Sequence, residues 1–328
     1  MERRLCAKTT LVAALFLLVG NALTAAPKRE VFIPMDYSTC GYRASNEALP
    51  VVSVAAVVAW QEGDCSALIQ QAIDAVSRRK PDAQGRRGAV LLGAGRYRLD
   101  TPLRISASGV VLRGADRDET VLVKHGTDRG ALLYIEGTGT ASTDTLCFIT
   151  ANIPAGSTAI SVKSLSTQPS PLSSHLSPLT SHLRVTILRP CTWEWIDHLG
   201  MRDFGGGLDY TGWKPTDVEL RWDRTIVDVR NDSLILDAPL TTSISPAYGG
   251  AYILMGHHEG ELTECGVENL SMESAINDWN PKDEDHCWDA IYMEQARDCW
   301  VDGVSFRHFA GRQSTCNCTP AASPWRTA

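Results

Sequence analysis

Residues 88–123, GAVLLGAGRYRLDTPLRISASGVVLRGADRDETVLV, break into short apolar runs at Val90–Leu92, Leu103–Ile105, Val110–Leu112 and Val121–Val123. Glycines and small polar residues lie between them. No run is long enough for a helix, and the breakers recur too often for one. Strands of about three residues separated by tight corners suit a solenoid, in which the chain winds into stacked coils. Just upstream the period changes. In GDCSALIQQAIDAVSRR, Leu68, Ile69, Ala72, Ile73 and Val76 fall on one helical face, and Asp64 or Ser66 can cap the start. This predicts an amphipathic helix over 65–79 that closes the N-terminal end of the solenoid, where open strands would invite edge pairing.

Residues 138–250 interrupt the coils. Their apolar stretches at Phe148–Ile153, Ile160–Val162 and Val185–Leu188, and a hairpin of Thr225–Val229 and Leu234–Leu236 around Asn231-Asp232, predict a β-rich insertion packed on the flank of the solenoid. Within it, SPLSSHL at 170–176 is followed by SPLTSHL at 177–183. Two units cannot build a solenoid, and Ser, Pro and His bury too little apolar surface to order the segment. The stretch 166–183 is therefore expected to be a flexible loop.

The Gly-x-Tyr-x-Leu run (Gly95, Tyr97, Leu99), the GVVLRG run at 109–114 and the DYSTCGY run at 36–42 resemble the first coils and lead-in segment of the pectate-lyase-like parallel β-helix family. The resemblance spans roughly residues 30–311. It implies an all-β fold, a right-handed parallel β-helix with an N-terminal capping helix and a β-rich insertion. The expected organisation is a leader at 1–25, a lead-in segment and capping helix at 26–87, first coils at 88–137, the insertion at 138–250 and further coils at 251–311. It also implies a secreted carbohydrate-active protein acting on a pectin-like or other acidic polysaccharide, as a lyase or a glycoside hydrolase. A non-catalytic glycan-binding or structural β-helix is the alternative, because fold does not choose among activities. The paired-aspartate pattern of polygalacturonases and the Arg-x-Pro-x-x-Arg pattern of calcium pectate lyases are both missing from the sequence.

Two clusters carry candidate chemistry. Asp283, Glu284, Asp285 and His286 are the densest ionisable run. The family resemblance implies coils of about 22 residues, which would stack His308 on His286 and Arg307 on Asp285. Asp283, Asp285, His286, Arg307 and His308 are then candidates for general acid and base work on a glycosidic bond or on the C–H beside a uronate carboxylate. The carboxylates could also hold Ca²⁺. A surface ladder that fixes coil register is the competing reading, and Glu284 is read as merely solvated. The second cluster is 191–224, with Trp193, Trp195, Trp213 and Trp222. Aromatic faces suit stacking on sugar rings, so these four are candidate substrate-binding residues, unless they pack the segment onto the body of the protein.

Composition narrows the partners. Hydrophobic residues make up 44% and charged residues 21%, enough for a globular core. Arg3, Arg4 and Lys8 precede an apolar run, Leu11–Val19, and small residues ending at Ala25 and Ala26. That order predicts a cleaved secretory leader and export to a periplasm or the exterior. Loss of residues 1–25, which carry a net +2, would move the formal charge from −7 to −9. Such a charge argues against nucleic acid, and no other segment is long and apolar enough to span a bilayer. The expected partner is a polysaccharide; oligomeric state is not legible. Ten cysteines are scattered without a CxxC pair, so most are read as small buried hydrophobes. Zinc is not expected, since His and Cys never fall at ligand spacing.

The tail from 312 onward lacks strand alternation and carries Pro320 and Pro324. Read two nucleotides later with common codons, it yields a coil-like peptide beginning Ala-Val-Asn-Leu-Gln-Leu. This predicts a frameshift near Gly311, a truncated product, an uncapped final coil and little activity.

Overall fold

In the computed structural model the described residues are 33–139, 144–161, 165–166, 182–203, 205, 212–215, 219–230, 233–256, 259–280, 282–311 and 314–317. The expected leader, most of the Ser/Pro/His repeat and the tail from 318 lie outside them. The fold belongs to the unit Pro34–Ala328.

Strand β1 (Val54–Val58) leads to helix α1 (Ser66–Ser77). One coil follows as β2 (Gly88–Leu92), β3 (Gly95–Leu99) and β4 (Leu103–Ile105), and the next as β5 (Val110–Gly114), β6 (Thr120–Lys124) and β7 (Ala131–Glu136). After the insertion, winding resumes with β15 (Leu262–Thr263), β16 (Gly266–Ser274), β17 (Asp289–Glu294), β18 (Ala296–Arg297), β19 (Trp300–Arg307) and β20 (Ser314–Asn317). Every pairing among these strands is parallel: β2 on β5, β3 on β6, β4 on β7, β16 on β5, β6 and β19, β15 on β18, and β17 on β7 and β20. The chain is a parallel β-helix. Its walls close on one core, where Val90, Leu92, Tyr97, Leu99, Leu103 and Leu112 meet Val267, Leu270, Ile291 and Met293.

Coil length is not constant. Gly88 pairs with Val110, an offset of 22, whereas Gly266 pairs with Trp300, an offset of 34. By β17 the offset is 23, since Ile291 pairs with Ser314. The excess between 34 and 23 lies in a loop between β16 and β17. The corner within β16 is turned by Asn269 (φ 51°), and the same corner one coil later by Gly303 (φ 63°). Both are in the left-handed region, where Asn is tolerated and Gly is free. A Cβ on Gly303 would lie 2.6 Å from the Asn269 Oδ1 beneath it.

Helix α1 covers the N-terminal end as its periodicity implied. Ile69, Ile73 and Val76 enter the common core. Asp64 accepts from the Ser66 amide at 3.0 Å and from the Ser66 hydroxyl at 2.5 Å, which satisfies the start of the helix.

The insertion is a seven-stranded antiparallel sheet in the order β10-β8-β14-β11-β12-β13-β9. Its strands are β8 (Thr145–Ile149), β9 (Ala159–Ser161), β10 (Leu165–Ser166), β11 (Arg184–Arg189), β12 (Leu220–Arg230), β13 (Ser233–Leu236) and β14 (Ala251–Met255). A second short helix, α2 (Trp193–Leu199), follows β11. The expected end at 250 is too early. Ala251–Met255 reads like a coil strand because it is uniformly apolar, yet it pairs antiparallel with β8 and β11. The insertion has its own core, including Ile187, Trp222, Ile226 and Ile253. Buried Glu261 ties it to the coils, accepting from Arg184 at 2.8 Å and Arg297 at 3.2 Å. Both stems meet where the Thr138 amide donates to the Gly260 carbonyl at 2.9 Å.

Among the described residues no two cysteines form a disulfide; Cys65, Cys147, Cys191, Cys265, Cys287 and Cys299 are buried and Cys40 is exposed. No helix among them is long and apolar enough to cross a membrane. The winding does not stop after Phe309, because Ser314–Asn317 continues it by pairing with β17.

Candidate functional site

Strands β3, β6, β16 and β19 lie side by side, and alternation sends every second side chain outward. Register aligns Arg98, Val123, Glu273 and Arg307 in one row, and Arg96, Val121, Ser271 and Ser305 in the row beside it. Where these strands end, a groove of about 370 Å³ opens, lined by Arg96, Arg98, His125, Glu273, Ile276 and Asp278 among others. Glu273 is its centre. Its residue is buried, and Arg96 donates to one carboxylate oxygen at 2.7 Å while Arg307 reaches the other at 3.4 Å. Both arginine side chains are more than half exposed while bonded to Glu273. Arg98 is held at 2.8 Å by Asp100.

His125 completes this wall. Its amide donates to the Leu99 carbonyl at 2.7 Å, which extends the strand pairing by one residue. Partial burial, followed by the nearby Arg98 charge, pushes the imidazole below its usual value, so it is neutral at pH 7. Beneath it, buried Lys124 is satisfied by Asp128 at 2.6 Å and by the His125 carbonyl at 2.6 Å.

The opposite rim is the loop that lengthens the coil. It starts at Ala275, whose amide donates to the Lys124 carbonyl at 2.8 Å. The loop is held by its own short-range bonds. Asp283 accepts from the Asn277 amide at 2.9 Å and the Asp285 amide at 3.2 Å; the Asn277 side chain accepts from the Trp279 amide at 3.1 Å. Asp278 lines the groove and Trp279, beside it, is 95% exposed. Trp60 packs against Gly95 and donates its indole N–H to the Arg96 carbonyl at 2.7 Å.

The acidic run singled out in the sequence thus builds the loop. Asp283 frames it, and those two backbone donors hold its carboxyl below the usual carboxylate range. Asp285 is exposed and paired with Arg129 at 2.8 Å, and Arg129 in turn lies 5.0 Å over the Trp288 ring. His286 is buried, with Nδ1 2.9 Å from the Ser274 hydroxyl, and so braces the groove wall. The expected stacking is corrected by the register. Arg307 lies over Glu273, 34 residues back, and not over Asp285. Beyond the loop the offset is 23, as the Gly311 amide donating to the Trp288 carbonyl also shows. That offset brings core-packed Phe309 rather than His308 into line with His286. His308 is exposed and in the left-handed region (φ 64°). Each oxygen of Asp283 accepts from a loop amide, and Asp285 Oδ1 is paired with Arg129. Among the described residues no three His, Cys, Asp or Glu side chains converge as a metal requires.

The tryptophan quartet is also divided. Trp222 is a core residue of the insertion, 3% exposed, with its indole N–H donating to Thr241 at 2.8 Å. It faces inward because β12 alternates in register with β11, and this corrects its placement among the sugar-binding residues. Trp193 and Trp195 sit two positions apart on α2, so they point to different sides of the helix. Arg202 covers the Trp193 ring at 4.2 Å; Arg189 covers Trp195 at 4.2 Å, whose ring lies 5.8 Å from that of Trp213. The groove residues Arg96, Arg98, His125 and Glu273, and Trp279 next to the groove residue Asp278, were not singled out in the sequence. The available signal was the strict alternation of arginine in Gly95–Leu99.

No family model matches this chain, and no curated protein matches it. Solved structures similar to it include the Gp54 tailspike of Acinetobacter baumannii bacteriophage AP22 in complex with A. baumannii capsular saccharide. That likeness has 10% identity and a TM-score of 0.36, and covers 75% of this chain and 34% of that one. The Pseudomonas phage phi297 tailspike gp61 gives 11% identity and a TM-score of 0.35, covering 72% of this chain and 31% of that one. The tailspike protein gp49 of Pseudomonas phage LKA1 gives 12% and 0.32, covering 76% and 39%. The chain thus spans about a third of the length of the structures it matches.

Proposed function

We propose that this protein is an exported polysaccharide-active β-helix protein whose groove binds the uronate residues of an acidic glycan. The observation that carries the reading is the pair of half-exposed arginine side chains, Arg96 and Arg307, bonded to Glu273 beside Arg98 and the neutral imidazole of His125. Planar guanidinium groups match carboxylates by paired hydrogen bonds, and pre-fixing them lowers the ordering cost of binding. The net negative chain does not oppose this, because the groove presents its arginines locally.

The same groups fit β-elimination better than hydrolysis. Elimination needs a cation on the uronate carboxylate, which stabilises the charge that develops when the neighbouring C–H is deprotonated, and a neutral base to take that proton. His125 supplies the base: the proton moves to its imidazole, the C–H electron pair forms the C4=C5 double bond, and the C4–O bond breaks with the oxygen protonated by solvent. An inverting or retaining hydrolase works with two carboxyl groups facing the scissile bond, whereas both carboxylate oxygens of Glu273 are engaged by Arg96 and Arg307. Incubation with polygalacturonate, alginate and glucuronan tests the reading. Unsaturated products absorbing in the ultraviolet are expected. New reducing ends without that absorbance would replace elimination with hydrolysis, and binding without either would leave a glycan-binding module.

A further inference from the structure

Trp279 is the most exposed tryptophan of the described residues, at 95%, and nothing in the fold uses it. A large aromatic fully in water has no stabilising role, so its neighbourhood matters. Asp278, next to it, lines the groove, and the loop that carries both is the groove's rim. That loop is not loose at the relevant point. The Trp279 amide is bound to Asn277 Oδ1 at 3.1 Å, the Asn280 amide to the Asn277 carbonyl at 2.9 Å, and the Asp283 amide to the Asn280 carbonyl at 3.0 Å. Its base is fixed by His286 on Ser274 and by Asp285 on Arg129. An exposed indole is thereby carried on a braced frame, next in the chain to a residue that lines an arginine-bearing groove.

We propose that Trp279 is the stacking platform for a pyranose ring of the acidic glycan whose carboxylate is held by Arg96 and Arg307, and that the segment 275–280 sets which glycan the groove accepts. This deepens the reading given above and rests on it. A pyranose ring presents C–H groups to an aromatic face while its carboxylate projects from the ring edge, so one sugar satisfies the guanidinium pair and the next along the chain meets the indole. Acidic polysaccharides differ in ring geometry and linkage at equal charge. Charge pairing at Glu273 cannot separate them, whereas the position of a rigid aromatic can.

The test compares the full-length protein with Trp279→Ala, Trp279→Phe and, as a control at another exposed aromatic, Tyr37→Ala. Titration with oligosaccharides of polygalacturonate, alginate and glucuronan follows binding by calorimetry and by tryptophan fluorescence. Trp279→Ala is expected to weaken the preferred oligosaccharide at least about tenfold with an unchanged melting temperature. Trp279→Phe is expected to recover most of that loss, and Tyr37→Ala to bind as the unaltered protein does. Equal affinity in the unaltered protein and Trp279→Ala overturns the inference alone. Failure of the unaltered protein to bind any of the three overturns the reading of the groove, and the inference with it.

Discussion

The hydroxyl of Tyr42 lies 2.7 Å from both carboxylate oxygens of Glu264, 222 residues further along the chain. Arg43 and Arg86 join the same carboxylate at 2.8 and 3.0 Å. Arg43, Ala44 and Ser45 all hold positive φ, and Glu264 does too, so the contact is strong enough to hold a left-handed turn of three side-chain-bearing residues. Glu264→Ala should therefore destabilise the protein by about 3–5 kcal/mol, because it leaves two arginines and a hydroxyl facing a void. Tyr42→Phe should cost about 1–2 kcal/mol. Denaturant melts of both variants measure this; a Glu264→Ala midpoint equal to that of the unaltered protein would show that the lead-in segment is not anchored there.

Acid should weaken the fold through the same carboxylates. Burial alone would raise Glu264 and Glu261, but hydrogen bonds from Tyr42 and Arg43 in the first case and Arg184 in the second offset it and leave both below the usual range. A carboxyl with a lowered folded value adds stability that is fully present above its unfolded value, about 4.3, and is lost as pH falls through the folded one. Asp298, raised by burial, acts in the opposite sense, but it is one group against two. The melting temperature should be level from about pH 8 to 5 and fall below about pH 4. A melting temperature that climbed on acidification would contradict these assignments.

His125 sets a second, separable pH effect. Its imidazole is held below its ordinary value by partial burial and by Arg98. A base of that kind is charged and idle at low pH and neutral above its own value. Turnover on the preferred glycan should rise with an apparent midpoint below about 6.5 and stay level through neutrality. His125→Ala should lower kcat by about 10²–10⁴-fold with little change in affinity. A comparable loss of binding would mean that the residue shapes the groove and does not act on the substrate.

Trp222→Ala should cost about 3–5 kcal/mol, since it empties the core of the insertion and strands Thr241. Trp193→Ala should stay within about 0.5 kcal/mol, because that ring is 41% exposed. Thermal melts of the pair separate the buried member of the tryptophan cluster from an exposed one.

The solenoid was legible because short apolar runs between breakers admit few alternatives, and α1 because Ile69, Ile73 and Val76 keep a helical period. The groove was not. Its central residue, Glu273, is one of two glutamates in the strand Gly266–Ser274, and its partners are 177 and 34 residues away. Density of charge drew attention to 283–286, yet those carboxylates bond to amides and arginines close to the loop. A fixed coil length of 22 could not anticipate a loop that lengthens one coil to 34 and returns to 23. Trp222 and Trp193 look alike in sequence, and only strand pairing separates them.

The hydrogen bond that joins Thr138 to Gly260 pinches off the intervening chain. Those positions are 122 apart, and bringing the ends of an unstructured segment of that length together costs on the order of 4 kcal/mol in chain entropy. Coil β5 cannot receive β16 until this has happened, because Val111 and Gly266 are neighbours only across the pinch. A separate apolar core lets the inserted sheet collapse by itself and bring its two stems together. Refolding should then proceed in sequence, with the sheet first and the later coils adding onto a shortened chain. Damage to Trp222 would therefore slow the assembly of a wall it never touches.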